Sequence, residues 1–303
     1  MKKLFRWLFG SQATTTPAQT LDTATTAPLT EEQLKAIVDS QNPRFDLQQL
    51  IAASGQSVGK QRELNEDSLL ALTTTMAGNS GTLPFGIYIV ADGMGGHQFG
   101  EVASNAAVRT VAGYILKKFY PYLFHVKADT IEESLQEIMQ SAVAEAQRII
   151  QREAPGSGTT LTAALVVGQQ ITIAHVGDSR AYFVYPDGRI KPLTRDHSLV
   201  KRLQELGHIT SEEAENYPHR NVLYRALGQG EVLEPDVFTV GFPQPGYLMI
   251  CSDGLWGVVS EHDITRAIND APTLHRACQN LVTAANTAGG PDNISVILVQ
   301  LIG

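Results

Sequence analysis

Apolar runs of strand length recur along the chain, separated by turn-forming dipeptides. Phe85–Ala91 (FGIYIVA) reads as a buried strand that ends at a glycine-rich turn. Thr160–Val167, Ile171–Val176, Arg180–Tyr185 and Ile190–Leu193 are separated by GQQ, GDS and PDG, the pattern of an antiparallel meander. Asp236–Val240, Tyr247–Cys251 and Ile294–Leu301 add three more strands. Between them, Ile131, Leu135, Ile138, Ala142, Ala146 and Ile149 fall at helical spacing behind a Thr130–Glu133 capping pattern. Glu101–Phe119 and Pro272–Ala288 predict further helices. Strands grouped as hairpins, not alternating singly with helices, predict an α+β fold with two mainly antiparallel sheets packed as a sandwich and flanked by helices.

The first 45 residues have a different texture. Ser11–Thr30 is rich in Thr, Ala and Pro with Asp22 as its single charge, which predicts a linker without a packed core. Thr30-Glu31-Glu32-Gln33 is a capping-box pattern that predicts a short helix through Val38. Residues 46–303 are expected to form one globular domain, and residues 1–45 a basic tip and linker. Met1–Gly10 (MKKLFRWLFG) has an apolar part shorter than a secretory signal core, interrupted by Arg6 and with no small-residue cleavage site close behind. Lys2, Lys3 and Arg6 beside Phe5, Trp7 and Phe9 predict weak contact with an anionic membrane surface, against the plainer reading of a solvated tail.

Charge and cysteine content narrow the function. The 303 residues carry a formal net charge of −8, and with five basic and four acidic side chains in residues 1–45 the rest stands at −9. Such a body disfavours nucleic acid as a partner. Cys251 and Cys278 make neither a disulfide framework nor a CxxC zinc site, so a reducing cytoplasm is expected, with any membrane contact peripheral and on its inner face.

Acidic residues recur where apolar strands stop. Ile89-Val90-Ala91 runs into Asp92-Gly93, His175-Val176-Gly177 into Asp178-Ser179, and Met249-Ile250-Cys251-Ser252 into Asp253-Gly254. Gly290-Pro291-Asp292-Asn293 precedes the last strand, and Asn65-Glu66-Asp67 follows Arg62. One Asp-Gly is a common turn. Five acidic groups beside apolar strand ends, with only Arg62 and Arg180 nearby, call for cations, because unpaired carboxylates are expensive to bury. An all-oxygen donor set suits Mg²⁺ or Mn²⁺.

Eight motifs in order give the chain a specific resemblance. They are Arg62-x-x-Asn65-Glu66-Asp67, Val90-Ala91-Asp92-Gly93-Met94-Gly95-Gly96, Ser157-Gly158-Thr159-Thr160 and Gly177-Asp178-Ser179-Arg180, then Thr194-x-Asp196-His197, Ala226-Leu227-Gly228, Ser252-Asp253-Gly254-Leu255-Trp256 and Gly290-Pro291-Asp292-Asn293. Over roughly residues 50 to 302 the chain resembles the type 2C metal-dependent protein serine/threonine phosphatases, and bacterial members most. The resemblance implies a β-sandwich flanked by helices. It also implies hydrolysis of phosphoserine and phosphothreonine in proteins by direct attack of a water bridging two Mg²⁺ or Mn²⁺ ions, with a third ion as in bacterial members.

Carried over by position, the resemblance makes Asp92 the carboxylate bridging the two metals, with Asp253 and Asp292 on the first. The Gly93 carbonyl faces the second, with Glu66 and Asp67 there directly or through water. Asp178 joins Asp253 at the third site. Arg62 holds the substrate phosphate. Family members with Asp-Gly-His have a histidine where this chain has Met94, so the general acid is open among His97, His219 and a water. The polar stretch between His197 and Arg225, with a Thr210–Glu213 capping box, corresponds to the family's variable flap. Phosphorylated proteins are the expected substrates, opposing a serine/threonine kinase.

Other readings fit less well. Gly55–Gln61 misses a P-loop by one residue and lacks its Ser or Thr, and no GxSxG elbow exists. A catalytically inactive phosphatase-fold regulator would be expected to lack metal carboxylates, and Asp92, Asp178, Asp253 and Asp292 are all present. A plain acidic scaffold does not explain acids at strand ends.

Overall fold

A computed structural model describes residues 47–78, 81–95, 99–125, 131–215, 217–218, 221–230 and 233–303. The basic tip, the linker, the Thr30–Val38 helix, Thr130, His97 and His219 therefore lie outside the described residues.

Eleven strands form two antiparallel sheets among the described residues. The first sheet has the order β1 (Gln49–Ser57), β11 (Ile294–Ile302), β10 (Tyr247–Cys251), β7 (Arg180–Val184), β8 (Ile190–Pro192). The second runs β2 (Asp67–Gly78), β3 (Gly81–Met94), β5 (Leu161–Val167), β6 (Gln170–Val176), β9 (Asp236–Gly241), with the two-residue β4 (Gly158–Thr159) pairing the end of β3. Side-chain alternation along each strand builds the layers. In β3, Tyr88 and Val90 meet Ile250, Ile297 and Val299 of the opposite sheet, while Phe85, Ile87 and Ile89 face outward onto helices. Those helices are α1 (Gly100–Phe124) and α2 (Leu135–Glu153). On the far side, Val296 and Leu298 of β11 pack on α5 (Asp253–Trp256), α6 (Glu261–Asn269) and α7 (Leu274–Thr287). The expected helix–sheet–sheet–helix sandwich is the observed one. Two short helices, α3 (Leu199–Glu205) and α4 (Ser211–Glu215), lie in the flap stretch.

Two local expectations need correction, and two strands had none. The helix predicted from Thr130 begins at Leu135: Ser134 is its cap, its hydroxyl accepting from Glu137 N at 3.2 Å and its own N–H donating to Glu137 Oε2 at 2.6 Å. Glu133 is paired instead with Lys118 of α1, and Ile131 packs on the helical layer from outside the helix. The Pro272–Ala288 helix starts later, behind a Thr273 cap, and α6 precedes it behind a Ser260 cap. Strands β1 and β2 had no expectation: their apolar runs, Leu50–Ala53 and Leu69–Leu72, are short and pass into Ser, Gly and Thr.

The layers set a scale for mutation. Truncating the fully buried Ile297 to Ala between the sheets is expected to cost about 2–5 kcal/mol in urea unfolding. Ser134→Ala, which removes only an exposed cap, is expected to cost about 1 kcal/mol.

Candidate active site

Strand ends bring the acids together. Asp92 is the last β3 residue in register with β2, where it sits opposite Asp67; beyond it the chain turns to pair Gly93 with Thr159. The Asp92 backbone is clamped: its N–H donates to Thr160 Oγ1 at 2.9 Å, and its carbonyl accepts from Thr160 N at 2.8 Å and Thr159 Oγ1 at 2.9 Å. Gly93 N–H donates to the Glu66 carbonyl, and a side-chain carbon on Gly93 would overlap the Gly100 carbonyl, so this turn admits no side chain. Asp178 follows Gly177, whose φ of +103° places it where L side chains are strained.

A cavity of about 540 Å³ opens at this end of the sandwich, lined by Arg62, Glu66, Asp92, Gly93, Asp178, Asp253 and Asp292 among others. Of the expected site residues, Asp67 alone among those described does not line it. It lies buried behind, its Oδ2 accepting from Ser252 Oγ at 2.8 Å. None of the histidines described lines the cavity.

Burial and mutual repulsion dominate the electrostatics. Desolvation pushes the Asp67 carboxyl up to about 7, with Asp253 and Asp292 adding to it. Asp253 rises to about 6, raised by burial and then by Asp292, and restrained by a hydrogen bond with Asp92. Burial also lifts Asp92 and Asp178 well above the carboxylate range, with the neighbouring aspartates as the next cause. Glu66 is raised by burial against the pull of Arg62. Arg62, the one cation lining the cavity among the described residues, donates Nη2–H to Asp292 Oδ2 at 2.7 Å and is itself raised by that bond.

Residues the sequence reading left out of the site hold it in shape. Asn293 Nδ2 donates to the carbonyls of Val58 and Leu64, both at 2.8 Å, and its Oδ1 accepts from Glu66 N at 2.8 Å. One amide thus ties the Arg62–Glu66 loop to Asp292. Trp256 Nε1–H donates to the Asp178 carbonyl at 3.0 Å, and its ring lies 3.5 Å under the Arg180 guanidinium. Arg180 forks onto Asp196 at 2.8 and 2.7 Å, so it serves structure and not the cavity. The only sequence signal for Asn293, Ser252 and Trp256 was adjacency to the acids within the motifs.

These acids fit divalent cations. Buried Asp67 Oδ1 and Asp253 Oδ1 have no hydrogen-bond partner, the donors are all oxygen, and one arginine faces a cluster of aspartates. No three acidic, His or Cys side chains among the described residues already converge at ligating distance; the acids lean on Arg62, Ser252 and one another instead.

A sequence model of the family described as Protein phosphatase 2C matches residues 51–294, and the chain belongs to that family. The serine/threonine phosphatase stp of Listeria innocua is 40% identical over 215 residues, 71% of this chain and 84% of its own length. Protein phosphatase PhpP of Streptococcus pneumoniae is 36% identical over 216 residues, 70% of this chain and 85% of its own. Among solved structures, the serine/threonine phosphatase PstP/Ppp of Mycobacterium tuberculosis superposes with a TM-score of 0.68 at 32% identity, covering 84% of this chain and 100% of that one. The catalytic domain of the phosphatase PstP in complex with two manganese ions gives 0.67 at 31%, with the same coverage.

Two tests follow from the geometry. Asp67 and Asp253 hold protons more tightly folded than unfolded, where Asp titrates near ~4. Between about pH 4 and 7 the folded metal-free chain therefore carries more protons, and its stability falls as pH rises through that window. Thermal melts in EDTA should show a lower Tm at pH 8 than at pH 5.5, and Mn²⁺ should remove the difference; a Tm that rises with pH in EDTA counts against buried, mutually repelling acids. Asn293→Ala, which strands two carbonyls and an amide, should cost about 3 kcal/mol in urea unfolding.

Proposed function

We propose that this protein phosphatase 2C member hydrolyses phosphoserine and phosphothreonine in proteins, using its strand-end carboxylates to hold two divalent ions. One observation carries the reading: Glu66, Asp92, Asp178, Asp253 and Asp292 surround one cavity with Arg62 as its cation. Asp92, Asp253 and Asp292 are assigned to the first ion, and Asp92, the Gly93 carbonyl and Glu66 to the second. Asp67 acts from behind through water, and Asp178 with Asp253 is assigned to a third ion. When bound, a pair of Mg²⁺ or Mn²⁺ ions supplies a water of lowered pKa for attack on phosphorus.

The chain's own groups do the rest. Asp292 orients Arg62, whose remaining N–H groups are available for phosphate oxygens, since Arg62 bonds only Asp292 among the described residues. A planar fork binds a phosphate in a way a lysine cannot reproduce. With no described histidine at the cavity, the proton for the leaving alkoxide is assigned to His97, His219 or water. A non-catalytic regulator is disfavoured because every carboxylate such proteins are expected to lack lines the cavity or backs it.

The cytoplasm and an opposing serine/threonine kinase complete the reading, with weak membrane contact through residues 1–10. The free cysteine pair supports the cytoplasm and the basic, aromatic decapeptide the membrane contact; the kinase follows from the need for something to place the phosphate. No helix among the described residues is long and apolar enough to cross a membrane.

Phosphate release from a phosphothreonine peptide by the full chain should require Mn²⁺ and stop with EDTA. Asp253→Asn should lower kcat/KM by about two orders of magnitude or more, and Arg62→Ala by about 10- to 100-fold. Release that persists in EDTA, or in Asp253→Asn at full rate, overturns the assignment.

A further inference from the structure

A second cavity of about 430 Å³ lies beside the first and has the opposite electrostatic character. Arg195, Arg202, Arg225, Leu199 and Tyr224 line it, and no acidic side chain does. The wall between the two cavities is a short antiparallel ladder. Ser198 bridges Leu223, Leu199 N–H donates to the Val222 carbonyl at 2.8 Å, and Tyr224 N–H donates to the His197 carbonyl at 2.9 Å. Successive side chains on such a segment point to opposite faces. Leu223 accordingly lines the carboxylate cavity while its neighbour Tyr224 lines the arginine cavity.

The three guanidinium groups are held differently. Arg225 is fixed by Asp236, which also accepts from buried His197, and it lies 5.8 Å from the Tyr224 ring centroid. Arg195 is paired with Glu205. Arg202 is exposed and makes no ion pair among the described residues. Burial lowers the His197 pKa, and the charges of Arg225 and Arg195 lower it further against the opposing pull of Asp236, so this ring adds no cation of its own to the cavity. Asp236 and Glu205 compensate two of the three arginines, so Arg202 is the uncompensated positive charge beside the amphipathic Tyr224 ring in a body of net charge −9. Guanidinium forks of this kind match phosphate and carboxylate oxygens.

We propose that this cavity is a second anion-binding site, which takes a phosphate or carboxylate group carried by the substrate protein a few residues from the phosphoresidue being hydrolysed. The proposal rests on the phosphatase reading and deepens it. Adjacent residues of one ladder strand serve both cavities, and an extended peptide advances ~3.3–3.6 Å per residue, so a single substrate segment crossing the wall can present one anion to each. Arg62 then reads the phosphate to be removed, and Arg202 with Arg195 and Arg225 reads the charge beside it.

The test uses the full chain with Mn²⁺ and phosphothreonine peptides that differ at one further position. That position carries the non-hydrolysable phosphonate analogue of phosphoserine, glutamate or serine, stepped three to six residues to either side. The expected result is a KM about tenfold lower for the phosphonate peptide than for the serine peptide at the matching spacing, a smaller gain for glutamate, and kcat little changed. In Arg202→Glu that KM ratio should collapse to about one, and Arg202→Lys should keep part of it. Because the ratio is taken within one enzyme, a general loss of activity does not imitate the effect, and exposure of Arg202 makes misfolding an unsuitable explanation. Equal KM values at every spacing in the unaltered chain, or a ratio untouched by Arg202→Glu, overturn the second site alone. No Mn²⁺-dependent turnover of the serine peptide overturns the phosphatase reading and this proposal with it.

Discussion

Like charges do not gather unless something holds them, and the repulsion among Asp67, Asp92, Asp178 and Asp253 is the constraint on which the rest of this molecule turns. Asp67 and Asp178 are buried and Asp92 and Asp253 half-buried, and each is raised by desolvation and then by other aspartates. Their backbones come from four different strands or strand ends in two sheets, so the cluster exists only while the inter-sheet core keeps β2, β3, β6 and β10 in place. The apolar layers of Tyr88, Val90, Ile250 and Ile297 are thus a condition of the chemistry as well as of stability.

The means of restraint is as informative as the cluster. Neutral donors hold the acids and their backbone: Thr160 N–H on the Asp92 carbonyl, Ser252 Oγ–H on the Asp67 carboxylate, Trp256 Nε1–H on the Asp178 carbonyl, and Asn293 Nδ2–H on the Leu64 carbonyl before Glu66. A lysine or arginine in those places would lower the carboxyl pKa values, but it would also supply the positive charge that a divalent ion brings. Arg180 sits close enough to Asp178 to do so, yet Asp196 and Trp256 hold it to one side. Positive charge is thereby left to Arg62, the one cation lining the cavity among the described residues.

Legibility in the sequence followed physical contrast. Strands buried on both faces, such as β5 and β6, read as apolar runs because nearly every position is inside. β1 and β2 carry small and hydroxyl side chains on partly exposed faces, so hydrophobic pattern could not single them out; their pairing with β11 and β3 is a tertiary effect. The capping pattern at Thr130 and the one at Ser134 are equivalent locally, and only the reach of Lys118 to Glu133 separates them. At the site, acids at strand ends were readable as residue types, whereas Asn293 was not, because its three bonds join chain segments more than 200 residues apart.

A phosphate monoester looks the same on any protein, so Arg62 and the carboxylates cannot by themselves tell one substrate from another. Discrimination has to come from surface that meets the polypeptide beside the phosphate. The stretch between His197 and Arg225 stands beside the cavity, and its ends rather than its helices reach it: Asn221 and Leu223 line the cavity, and His197 ties the base to the Gly177 N–H and Asp236. Because Gly177 leads directly into Asp178, the base of this stretch and the turn that aims a carboxylate share one buried ring. His197 accepts from the Gly177 N–H and bonds Asp236, so a change in the footing of the stretch is also a change beside the acid cluster.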